Sequence, residues 1–67
     1  MSIARVTEIS ATSPESFDDA VKQGIERASE TLRNVRGAWV KENKVNVENG
    51  KVTSYVVNLM VTFELES

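Results

Sequence analysis

The last third of the chain sets the strongest limit on its fold. Tyr55, Val57, Leu59, Val61, Phe63 and Leu65 alternate with Val56, Asn58, Met60, Thr62 and Glu64. Successive side chains of a strand leave opposite faces, so a period of two sustained this long describes a strand with one buried face. The apolar set is read as core, and the mixed set faces elsewhere. This strand is expected over Lys51 to Leu65 and its partner over Val35 to Val47. Glu48, Asn49 and Gly50 join them, and Asn-Gly is a strong hairpin signal because both residues accept positive φ.

The apolar face needs a cover, and the chain supplies one helix. Ser13, Pro14 and Glu15 offer a hydroxyl N-cap, a proline for the first helical position and an acid near the positive dipole end, so the helix is expected to start there. Phe17, Ala20, Val21, Gly24, Ile25, Ala28 and Leu32 recur at spacings of three and four and form its core stripe. Asp18, Lys22 and Glu26 fall on the solvated side at i,i+4 spacing. Gly24 on the apolar stripe costs the helix roughly 1 kcal/mol relative to Ala, which close approach of a strand or a neighbouring chain would offset.

Ile3 to Ser10, rich in Ile, Val and Thr, reads as a first strand, although Val6 and Ile9 fall on opposite faces. The fold class is therefore α+β with the order β-α-β-β. Keeping every neighbour antiparallel places the last strand in the middle, so the three-stranded sheet has the order 1-3-2 and packs on one helix. The chain reads as a single domain over residues 1–67, without linker or internal repeat.

One helix covers one side of such a sheet. The other side is expected to carry Gly37, Trp39, Lys41, Asn43, Val45 and Val47 from the second strand, with Val52, Ser54, Val56, Asn58 and Met60 from the third. A patch of that kind marks an interface or a ligand site. With 67 residues, no Cys and no His, the chain has neither disulfides nor thiolate or imidazole metal ligands to reinforce a thin core, and oligomerisation is the remaining route to stability. Trp39 is the single Trp. Its ring serves either as an interface aromatic or as a stacking surface for a planar ligand, duplicated by a symmetry mate.

Other function classes find little support. A net charge of -2 with scattered Lys and Arg gives no footprint for a nucleic-acid backbone. Arg5, Glu8 and Glu15 interrupt any secretory apolar run, no stretch is long enough to span a bilayer, and the cytoplasm is the default expectation. The absence of His and Cys, of a nucleophile elbow and of a Gly-rich phosphate loop argues against an enzyme, and Glu8, Glu42, Glu48 and Glu64 read as carboxylates without a perturbing partner. Glu42, Asn43, Asn46, Glu48 and Asn49 offer oxygen ligands for Ca or Mg, but at a spacing that matches no defined loop. Only repetition about a symmetry axis would concentrate them.

The segments VTEISATSPESFDDAV, IERASETLRNVR, GKVTSY and VTFELES together resemble the dodecin family over nearly the whole chain. The T-S-P-E-S helix start, the RA-x-x-T-L-R-N helix end and the closing V-x-F-x-L-E are the most specific pieces. The resemblance implies a hollow homododecamer that stores or sequesters a flavin-type ligand (riboflavin, FMN or lumichrome) at subunit contacts without turnover. The ligand residues it suggests are Trp39, Gly37, Lys44, Val56 and Asn58, with no protein metal site. The pattern departs from the family at three places. Gly37 takes the position of the usual stacking Trp, with Trp39 two residues on, so the ring either reaches the same pocket from a shifted place or fills it. Val56 stands where a Gln commonly bonds the flavin edge. Lys44 and Glu64 correspond to phosphate-suited Arg positions, and Glu64 reverses the charge, which argues against an FMN site of the usual design.

Overall fold

The computed structural model describes residues 2–66. Strand β1 (Ile3–Ser13) leads into helix α1 (Phe17–Thr31), followed by strands β2 (Val35–Glu48) and β3 (Lys51–Glu66). The sheet has the order β1-β3-β2, and β3 pairs antiparallel with both neighbours, as the sequence predicts. Both expected faces of β3 are present: Val57, Leu59 and Val61 are buried under α1. Ala20 joins them, and Ile9, Ala11, Phe17, Val21, Ile25, Leu32 and Val35 pack around this cluster. At one end of the core Phe17 and Tyr55 meet edge to face, with ring centroids 5.1 Å apart, an arrangement that sets the positive edge of one ring on the negative face of the other.

The helix begins three residues later than Pro14. Its N-cap is Ser16, whose hydroxyl accepts the Asp19 N–H at 3.0 Å. Ser13 is instead the last residue of β1, paired with Tyr55 and fully buried. Its Oγ accepts the Glu15 N–H at 3.0 Å and donates to Asp19 Oδ2 at 2.6 Å, closing the turn between strand and helix. Either serine suits a cap by residue type; the ladder claims Ser13 and leaves the role to Ser16. At the other end the Leu32 N–H still reaches the Ala28 carbonyl at 2.8 Å. Asn34 then turns the chain through a left-handed φ of 57°, and its carbonyl accepts the Glu64 N–H at 3.0 Å.

Glu48 pairs with Lys51, so Asn49 and Gly50 form a two-residue loop with φ of 52° and 75°. Two positive φ values match the turn to the right-handed twist of the hairpin. The hairpin extends well beyond the helix: a 15-residue helix is about 22 Å long, against a longest molecular dimension of 51 Å.

The faces of β2 differ from strict alternation because its pairing with β3 slips three times. The slips fall between Val35 and Gly37, between Val40 and Glu42, and between Asn46 and Val47. A bulge inserts one residue and resets which side the following side chains occupy. After Lys41, Asn43 pairs with Val57 and Val45 with Tyr55, on the helix side. Glu42, Lys44 and Asn46 take the places on the open face where the sequence predicts Asn43, Val45 and Val47. Beyond the third slip Val47 pairs with Val52, and both turn away from the open face.

Gly24 lies under the closest helix-to-sheet approach. A Cβ there would sit 3.0 Å from Leu59 Cδ1 and 3.1 Å from Ala11 Cβ, so a strand provides the compensation the sequence requires. Leu59 is fully buried and Ala11 is fixed by the β1 ladder, which leaves neither free to yield. Gly24→Ala is therefore expected to lower stability by about 1 kcal/mol net, because overpacking of about 2 kcal/mol outweighs the gain in helix propensity. Chemical denaturation checks this, and an unchanged or raised midpoint would contradict the packing argument.

Candidate functional site

The sheet face opposite α1 is organised in rows across the three strands. Val6, Thr62 and Gly37 form one row, and Glu8, Met60 and Trp39 the next. Ser10, Asn58 and Glu42 follow, then Thr12, Val56 and Lys44. All five residues singled out from the sequence, Gly37, Trp39, Lys44, Val56 and Asn58, thus lie on one face. The Lys41 bulge brings this about, since unbroken alternation would put Lys44 on the face opposite Trp39.

Trp39 is 54% exposed, a large aromatic open to solvent in the single chain. Gly37, its neighbour on the same face, leaves a gap: a Cβ added there would have nothing within 4 Å. Val56 is only 6% exposed although no element lies over it. The face therefore combines an exposed indole, an open notch beside it and an apolar floor.

Its polar feature is a three-residue bridge. Glu8 accepts from Asn58 Nδ2 at 3.0 Å and from Lys41 Nζ at 3.3 Å, one bond on each carboxylate oxygen. The Asn58 hydrogen bond first, and the Lys41 ammonium second, hold the Glu8 carboxyl below its ordinary range. Glu8 is thus not the isolated carboxylate that the sequence suggests. Asn58 Oδ1 is shielded from solvent and is the one buried side-chain polar atom left without a partner among the described residues. At the far end of the face Arg36 Nε lies 3.5 Å from Glu64 Oε2, so the charge of Glu64 is met by the residue of the first bulge.

Sequence reasoning missed Glu8 and Lys41 as parts of this face acting together. They are 33 residues apart and meet only because β3 lies between β1 and β2 and because β2 bulges at Lys41. On the opposite side of the sheet, α1 leaves the β2 edge partly uncovered, and Val21, Ile25, Val35 and Ala38 line a groove of about 340 Å³. No sequence signal marks this groove.

The oxygen ligands considered for a metal do not converge within one chain. Glu42 and Asn43 point to opposite faces, and Glu48 and Asn49 stand at the hairpin tip. Among the described residues, no group of three or more Asp, Glu, His or Cys side chains is placed to hold a metal ion. No helix is long and apolar enough to cross a membrane.

The dodecin family model matches residues 3–66. The chain belongs to the dodecin family. Calcium dodecin of Mycobacterium tuberculosis is 31% identical over 65 residues, covering 97% of this chain and 92% of that protein. The dodecin structure from Streptomyces davaonensis superposes with a TM-score of 0.92 at 38% identity, covering 98% of this chain and 97% of that one. The crystal structure of the Mycobacterium tuberculosis calcium dodecin, described with a novel calcium-binding site, gives a TM-score of 0.82 at 31% identity over 96% of this chain and 91% of that one. The strand-helix-strand-strand subunit is thus the dodecin fold, and family membership implies an oligomeric assembly.

The lowered Glu8 pKa fixes a sign. The folded-state value lies below that of an ordinary glutamate, so the bridge contributes stability that is fully present above the ordinary value and is lost as pH falls through the folded one. In a carboxyl-detected NMR titration Glu8 is expected to titrate below the ordinary glutamate range. Both Asn58→Leu and Lys41→Met should move it upward. A Glu8 titration unaffected by either substitution would show that the bridge does not form in solution.

Proposed function

We propose that the chain is a subunit of a hollow homododecameric shell that binds and stores a flavin-type aromatic ligand on the open face of its sheet, without catalysis. The observation that carries this reading is the exposed indole of Trp39 beside the notch at Gly37, on the face that also holds Val56, Asn58 and Lys44. An indole in that position offers a stacking partner for a planar ring system, and the notch gives the ring room to approach the backbone. A symmetry mate presenting the same face supplies the second side of the stack.

The groups on the face suit a neutral tricyclic ring with a polar edge. Val56 and Met60 give an apolar floor. Asn58 Oδ1 is an acceptor without a donor, and it takes the part of the missing Gln at Val56. Lys44 remains for a phosphate, but Arg36 is already engaged by Glu64. Riboflavin and lumichrome are therefore expected to bind at least as well as FMN. A bound flavin would supply light absorption and redox chemistry of its own. The chain's residues hold the ring and shield it from solvent.

The Mycobacterium tuberculosis relative favours a second reading, since its name is calcium dodecin. In this chain a calcium site would have to be assembled from oxygen ligands of several subunits, and the shell would then be a structural or ion-binding one.

Titration of riboflavin, FMN and lumichrome into the apo-protein, with oligomer mass measured on the same sample, separates these readings. Saturable quenching of both flavin and Trp39 fluorescence by a dodecamer is expected, and Trp39→Ala should weaken binding by about tenfold or more. A dodecamer that leaves all three ligands fluorescent, and whose assembly depends on calcium, would overturn the flavin reading in favour of the ion-binding one.

A further inference from the structure

The Glu8, Lys41 and Asn58 bridge contains an unusual assignment of donors and acceptors. Asn58 Nδ2 is committed to Glu8 Oε2 at 3.0 Å, which fixes the amide so that its oxygen, not its nitrogen, is turned away from the carboxylate. That oxygen has no donor. A buried acceptor without a partner is destabilising, and the loss is recovered if a ligand brings an N–H to it. Lys41, rooted on β2, reaches across β3 to Glu8 on β1, and so passes over the strand that carries Asn58. Its ammonium is bound at 3.3 Å to a half-exposed carboxylate, an ion pair weak enough for a ligand to displace.

The geometry points to Asn58 as the determinant of ligand choice on the open face, with Glu8 as its positioning residue and Lys41 as a displaceable strap: the site selects planar rings whose edge carries an imide. This rests on the proposal that the face takes an aromatic ligand. An imide presents an N–H between two carbonyls. The N–H meets Asn58 Oδ1, and Lys41, released from Glu8, turns its ammonium to the adjacent carbonyl oxygen. Glu8 keeps the Asn58 Nδ2 bond throughout, and with it the orientation of the amide. The row order fits this arrangement. Asn58 lies one row from Met60 and Trp39, so a ring stacked on the indole and spread over Met60 brings its polar edge to the bridge.

The test compares riboflavin with riboflavin methylated at the imide nitrogen, by fluorescence titration of wild type, Asn58→Leu and Glu8→Leu, each checked for oligomer mass. Wild type is expected to favour the N–H form by about tenfold. In Asn58→Leu the ratio should fall to near one while the methylated ligand still binds. In Glu8→Leu the freed amide can turn its NH2 group to the ligand, and the ratio should fall likewise, a change that general loosening of the sheet would not produce. Equal binding of the two ligands by wild type, or a ratio unchanged by either substitution, would overturn the assignment while leaving the flavin reading intact. Binding of neither ligand by wild type would overturn both.

Discussion

The packing of one helix on the centre of β3 sets the terms for everything else in this subunit. Val57, Leu59 and Val61 are buried there against Ala20, and the Gly24 contact brings the helix close enough to exclude larger side chains. A single helix of this length cannot also cover the β2 edge, the outer half of the hairpin or the opposite face of the sheet. Val40, Val45, Val47 and Trp39 are left exposed in the isolated chain. So much apolar surface on so small a subunit is consistent with the oligomeric assembly that the family implies.

The same constraint divides labour between the two sides of β3. Its helix side is uniformly apolar and provides cohesion. Its open side carries Val56, Asn58, Met60, Thr62 and Glu64, a sequence too polar for a core and too apolar for a fully wetted surface. Two charge pairs on that side are matched locally, Glu8 with Lys41 and Glu64 with Arg36, and Glu42 and Lys44 of the same face are of opposite sign, so the face presents little net field. In the proposed reading such a face takes a flat, mostly uncharged ligand in preference to a phosphate-rich one.

Much of the fold was legible in the sequence because it rests on periodicity. The alternation of β3, the three-and-four stripe of α1 and the Asn49-Gly50 turn each depend on local stereochemistry, and together they force the 1-3-2 order. The bulges were not legible. Arg36 and Lys41 are the extra residues of the first two slips on β2, and Thr53 is the extra residue of the third on β3. None is a glycine or otherwise marks a slip in register, and only the pairing of β2 with β3 reveals them. The Lys41 bulge nevertheless decides the site, since it moves Lys44 and Glu42 onto the face of Trp39 and sends Asn43 and Val45 to the other. The start of α1 was misplaced for a related reason. Ser13 and Ser16 are equally good caps by type, and the long-range pairing of Ser13 with Tyr55 decides between them. The Glu8 bridge likewise joins strands distant in sequence, and nothing local in VTEIS announces it.

The central claim is that the open face of the sheet, and not the groove beside α1, is the functional surface. Methyl NMR of the assembled protein with and without saturating riboflavin tests it directly, because the ring current of a stacked flavin shifts only the methyl groups beneath it. The Met60 and Val56 methyls are expected to shift strongly, with those of Ile25 and Val21 in the groove unmoved. Shifts confined to Ile25 and Val21, with Met60 and Val56 unchanged, would contradict the account.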